Sequence, residues 1–149
     1  MKLRRLRDGD VLENGDIVLI RGGDLDPEIL RADAARYYSI YGVHGISVFA
    51  VHDVTVDELA QQVPLVRFDR LSLLKVSDVL VAGMRLEPTG RNPRHYTVSL
   101  DDLEDGARRL VSCPHQVMPN VYHDAKPGWW RRPDGTAHRS GSRPQRRRR

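Results

Sequence analysis

Gly45-Ile-Ser-Val-Phe-Ala-Val51 decides the fold: a short run, almost wholly apolar, with β-branched and aromatic side chains and no breaker inside it. Such a run predicts a strand at the centre of a sheet. The stretch before it predicts a helix. Asp26 is an N-cap, Pro27 suits the first helical position, Ile29, Leu30, Ala34, Tyr37, Tyr38 and Tyr41 recur at helical spacing, and Gly42 stops the run. Further back, Asp16-Ile-Val-Leu-Ile-Arg21 reads as a buried strand between Asn14-Gly15 and Gly22-Gly23. Val11-Leu12 is expected to pair with it as a hairpin across Asn14-Gly15.

Downstream, Thr55-Val-Asp-Glu58 has the form of a capping box opening a short helix through Gln62, ended by Pro64. Leu71–Val76 reads as a strand, Ser77-Asp78 as the cap of one or two helical turns closed by Gly83, and Met84–Glu87 as a returning strand. Pro88-Thr-Gly-Arg-Asn-Pro-Arg94 is a loop of turn formers. His95–Leu100 alternates as a half-buried strand, and Asp101 opens a last helix ending near Pro114. Strands and helices mix without the roughly 30-residue beat of a doubly wound fold. The expectation is therefore a single α+β domain over residues 1–123, with a mixed or antiparallel sheet of about five strands and three or four helices.

Residues 124–149 read differently. Nine basic residues against Asp124 and Asp134 give them a net charge of +7. Residues 8–123 hold 11 basic and 18 acidic groups, a net of −7. The pI of 9.6 thus describes an acidic body with a basic appendage, not a basic fold. With Gly, Pro, Ser and Arg dominant, 124–149 is expected to be a disordered tail. One cysteine excludes an internal disulfide, and no apolar run reaches the ~18 residues of a membrane span. The N-terminus lacks the apolar segment of a secretory signal. A cytoplasmic protein without a membrane contact is the expectation.

In the tail, Trp129-Trp130-Arg131-Arg132 and the run Arg146, Arg147, Arg148 and Arg149 combine cations with stacking faces, which single-stranded nucleic acid rewards. The loop before the His95 strand adds Arg91, Arg94 and His95 as anion-binding and hydrogen-bonding groups on a firm hairpin. Against these stand bland alternatives: an unselective basic end, a tryptophan latch on the domain, and a solvated loop. Cys113-Pro114-His115 with His123 matches no familiar zinc spacing, so no metal is expected. Phosphate-loop, dinucleotide-fingerprint, zinc-protease, nucleophile-elbow and Cys-x-x-Cys signatures are missing from the sequence.

A third constellation joins Arg21 beside Gly22-Gly23, Ser47 in the central strand and Glu58 after it. "Leu19-Ile-Arg-Gly-Gly" and "Gly45-Ile-Ser-Val-Phe-Ala … Asp57-Glu58-Leu" resemble segments of the ADP-ribosyltransferase-like toxins, in particular the NAD-degrading group known by the letters RES. The resemblance spans about forty residues, and Phe49 stands where that group prefers Tyr. It implies NAD as cofactor, Arg21 holding the dinucleotide, Ser47 as the polar residue of the next strand and Glu58 stabilising a ribosyl cation. The residues alone also allow Glu58 a purely capping role and Arg21 a pairing with Asp24 or Asp26. Two functions follow: a small binding or regulatory protein that meets nucleic acid or an acidic partner through its tail, without a cofactor, or an NAD-consuming enzyme.

Overall fold

The computed structural model describes residues 8–123. Its strands are β1 (Val18–Gly22), β2 (Gly45–Ala50), β3 (Arg70–Lys75), β4 (Arg85–Pro88), β5 (His95–Ser99) and β6 (His115–Pro119). Its helices are α1 (Asp8–Leu12), α2 (Pro27–Tyr41), α3 (Val56–Ala60), α4 (Val76–Val81) and α5 (Leu103–Ser112), with a 3-10 turn at Leu65–Arg67. All six strands join one sheet in the order β4-β5-β2-β1-β3-β6, and every pairing is antiparallel. The class is α+β, and β2 lies inside the sheet as its apolar run requires.

Local chemistry sets the helices. Asp26 accepts the amides of Glu28 and Ile29 at 3.0 and 3.1 Å, Pro27 occupies the first turn, and Gly42 closes α2 at φ 80° with its amide on the Tyr38 carbonyl. Asp102, one residue later than expected, caps α5 by accepting the Asp105 amide at 2.7 Å. α4 begins at Val76 without a side-chain cap, so Ser77 and Asp78, expected to cap it, lie inside the helix.

Alternation along the strands builds two cores. On one face Leu19, Ile46, Val48, Tyr96 and Val98 pack with Leu30 and Ala34 of α2 and Ala107 and Leu110 of α5. On the other, Ile20, Phe49 and Leu71 meet Leu59 and Ala60 of α3 and Leu65 of the 3-10 turn. Buried Asn120 ties this smaller cover together, donating to the carbonyls of Ala60 and Leu65 at 3.2 and 3.1 Å.

Two further local expectations are corrected. Val11 and Leu12 belong to α1, not to a hairpin strand. Val11 is fully buried, and the Asn14 side chain accepts the Asp16 amide to turn the helix into β1. The sheet also has a sixth strand, β6, at its edge. Its side chains are largely exposed, so His115-Gln-Val-Met-Pro119 carries little apolar alternation to read. No helix among the described residues is long and apolar enough to cross a membrane.

Candidate functional site

The sheet splits at its centre. β1 and β2 pair only at Leu19 with Ala50 and at Ile20 with Phe49. Past those two pairs β1 stays with β3, out to Gly22 opposite Leu71, while β2 stays with β5, back to Gly45 opposite Ser99. Between the diverging ends lies a cleft of about 650 Å³, lined by Arg21 to Asp24, by the α2 side chains Ile29, Asp33, Arg36, Tyr37 and Ile40, by Gly45–Ser47 and Phe49, and by Pro64, Leu65 and Phe68. Ser47 is exposed although Ile46 and Val48 on either side of it are buried, because the second cover stops short of it.

Arg21 is only 6% exposed. Its guanidinium donates to the Asp33 carboxylate at 2.6 Å, and its Nε reaches the Asp24 carbonyl at 3.5 Å. The carboxylate of Asp24 goes elsewhere: Arg70 holds it with two bonds of 2.9 and 2.6 Å. Neither Asp24 nor Asp26 is therefore the charge partner of Arg21; Asp33, twelve residues on, is. Arg36 lies 3.5 Å from the outer oxygen of Asp33, so one carboxylate stands between two guanidiniums. The turn after β1 is fixed by the Gly23 amide on the Arg70 carbonyl at 2.8 Å and by Ser72 Oγ donating to the Gly23 carbonyl at 2.8 Å. Gly23 has φ 92°, a conformation open to glycine.

Each lip of the split carries a glycine covered by an aromatic ring. A Cβ on Gly22 would lie 2.4 Å from Phe68, and one on Gly45 would lie 2.9 Å from Tyr37 and 2.6 Å from Thr97. Missing side chains let the two rings approach the strand ends from the 3-10 turn and from α2. Tyr37 is then pinned by its hydroxyl, 3.0 Å from Thr97 Oγ1. The chain of contacts continues through Thr89 Oγ1, at 2.7 Å from Thr97, to His95 Nδ1 at 2.9 Å. His95 also packs edge-on to Phe49.

Of the three residues grouped by the resemblance, Arg21 and Ser47 share this cleft and Glu58 does not line it. Glu58 is exposed, accepts the Thr55 amide at 2.8 Å, and gives its own amide to Thr55 Oγ1 at 3.0 Å. In the loop before β5 one of the two arginines turns inward. Arg94 is 7% exposed and donates to the carbonyls of His52 and Asp53 at 2.9 and 3.1 Å, and His95 is engaged by Thr89, which leaves Arg91 as the exposed side chain of the three. Trp129, Trp130, Arg131, Arg132 and Arg146 to Arg149 lie outside the described residues. Sequence reasoning missed Asp33, Tyr37 and Phe68. In the sequence Tyr37 reads as one more apolar position of the helix, and nothing local marks Asp33 as a partner of Arg21.

Comparison with family models, with curated proteins and with solved structures gives no match.

Proposed function

We propose that this protein is a nucleotide-binding domain, that its ligand class is NAD, and that the β1–β2 cleft is the site. One observation carries the reading: a buried arginine stands where the two central strands part, beside Gly22-Gly23 and on the same cleft as the exposed Ser47. A guanidinium fork suits a pyrophosphate. Rings at both lips, Phe68 and Tyr37, suit a planar base, and the Ser47 hydroxyl can serve a ribose. The arrangement favours holding the dinucleotide over cleaving it. Asp24 and Asp33 are engaged by arginines and Glu58, off the cleft, by its own helix cap, so among the described residues no carboxylate of the cleft is spare for a ribosyl cation.

Calorimetric titration with NAD, run beside an assay for nicotinamide release, tests this. Saturable binding that weakens about tenfold or more in Arg21→Gln, as expected for a lost charged hydrogen bond, supports the site. Wild-type protein that binds no NAD removes it. Nicotinamide release would favour the enzymatic reading, for which Arg21 and Ser47 already share one cleft; release that survives Glu58→Gln would take Glu58 out of the chemistry.

The charge of residues 124–149 supports a second, separate contact, with single-stranded nucleic acid or an acidic partner. Such binding falls steeply with salt, and a chain ending at His123 should lose it while keeping its fold. Unchanged affinity in that shorter chain would sink the idea.

A further inference from the structure

We infer that Asp33 is a built-in competitor for the anion seat on Arg21: its carboxylate holds the guanidinium closed, and a ligand phosphate must displace it. The inference rests on the nucleotide reading of the cleft and adds a control element to it. Arg21 is almost wholly buried, and a buried guanidinium without an anion is strongly unfavourable. Among the described residues Arg21 meets one carboxylate, that of Asp33 at 2.6 Å, and both residues face the cleft. The Asp33 side chain is far from sealed in, at 31% exposed. Asp33 also has somewhere to go. Arg36, itself 71% exposed, lies 3.5 Å from its second oxygen and can keep the carboxylate paired at the surface when Arg21 lets go. A phosphate brings more charge and more acceptor oxygens than a carboxylate and matches the same fork. The exchange therefore leaves no charge buried alone in either state.

Two consequences distinguish such a latch from a merely structural ion pair. A pair closed about nine-tenths of the time lowers the apparent affinity for phosphate about tenfold, and removing the competitor restores it. Removing it also leaves Arg21 unpaired until ligand arrives, so ligand should raise the melting temperature more in the variant than in the wild type.

The test uses the full chain with ADP as the phosphate-bearing probe and uncharged adenosine as its control. Asp33→Asn should bind ADP about tenfold more tightly than wild type, with adenosine unchanged and with a larger ADP-induced rise in melting temperature. The gain should vanish in the Arg21→Gln/Asp33→Asn double variant, which removes both charges. A wild type that binds ADP beside an Asp33→Asn that binds it no better overturns the latch and leaves the nucleotide site standing. No ADP binding by wild type or variant overturns both. A gain that persists in the double variant puts the phosphate elsewhere and overturns the latch. Asp33→Ser provides a second, smaller replacement; failure of both single variants to fold would make the pair a structural buttress and overturn the proposal.

Discussion

Glu58 and Thr55 cap each other: the Glu58 carboxylate takes the Thr55 amide at 2.8 Å, and the Thr55 hydroxyl takes the Glu58 amide at 3.0 Å. Both amides belong to the unpaired first turn of α3, so the two side chains satisfy donors that the helix cannot. The residue that the resemblance marks as catalytic is thereby employed in holding a five-residue helix over the second core. Thr55→Ala should cost about 1 kcal/mol in urea unfolding, the usual loss of an N-cap. Glu58→Gln should change stability by only a few tenths, since Gln serves at the same position. A far larger loss for Glu58→Gln would show that its carboxylate has a buried partner.

Asn120 does for the second core what no apolar residue can. Its amide group bridges two carbonyls, those of Ala60 and Leu65, the second of which also accepts the Phe68 amide at 3.0 Å. Asn120→Ala should destabilise the protein by about 1–3 kcal/mol, and Asn120→Leu by no less, because both remove the buried donor that the Ala60 and Leu65 carbonyls share. Chemical denaturation measures it; a loss of a few tenths would mean that water replaces the side chain.

Gly45 is a packing position. A methyl there would press on Thr97 and on the Tyr37 ring, so Gly45→Ala should cost about 1–3 kcal/mol. It should also dislodge Tyr37 from its bond to Thr97. Near-ultraviolet circular dichroism and thermal melting of Gly45→Ala check this, with Tyr37→Phe isolating the hydroxyl. An unchanged melting temperature would place Tyr37 away from the lip.

The Asp24–Arg70 pair predicts a pH effect. The hydrogen bonds from Arg70, ahead of its charge, hold the Asp24 carboxyl below its ordinary value. A depressed carboxyl contributes its stability above the unfolded value, about 4, and loses it as pH falls through the lower folded value. The stability gap between wild type and Arg70→Ala should therefore be present near neutrality and close at acid pH below that value. Both side chains are more than a third exposed, so the gap is small and shrinks with salt. A gap that widens on acidification would reverse the sign and refute the pairing.

Cys113 is buried beneath the end of α5, its thiol directed at the carbonyls of Asp78 and Arg109, both at 3.5 Å. Burial first, and then the charge of Asp78, pushes the thiol up and keeps it protonated. Thiolate is the reactive form, so alkylation of the native protein at mildly alkaline pH should be slow and should accelerate on unfolding in urea. Equal rates in both states would place the thiol at the surface.

What the sequence by itself determined is local. The caps at Asp26 and Thr55, the Gly42 stop and the apolar run of β2 rest on interactions within a few residues, and they stand in the structure where the residues put them. The α+β class follows from the order of those pieces. Strand β6 was not legible because an exposed edge strand is defined by its neighbour's free amides and carbonyls, not by its own side chains. Val11-Leu12 misled for a related reason: two apolar residues fit either period, and only burial under the first core chose the helix. The cleft is wholly tertiary. It exists because β1 and β2 each keep their outer partner and give up one another beyond Ile20 and Phe49. That divergence brings Asp33 to Arg21, sets Tyr37 and Phe68 on opposite lips, and leaves Glu58 outside. Each of those distances is fixed by packing between segments far apart in the chain, and spacing along a sequence carries no record of it.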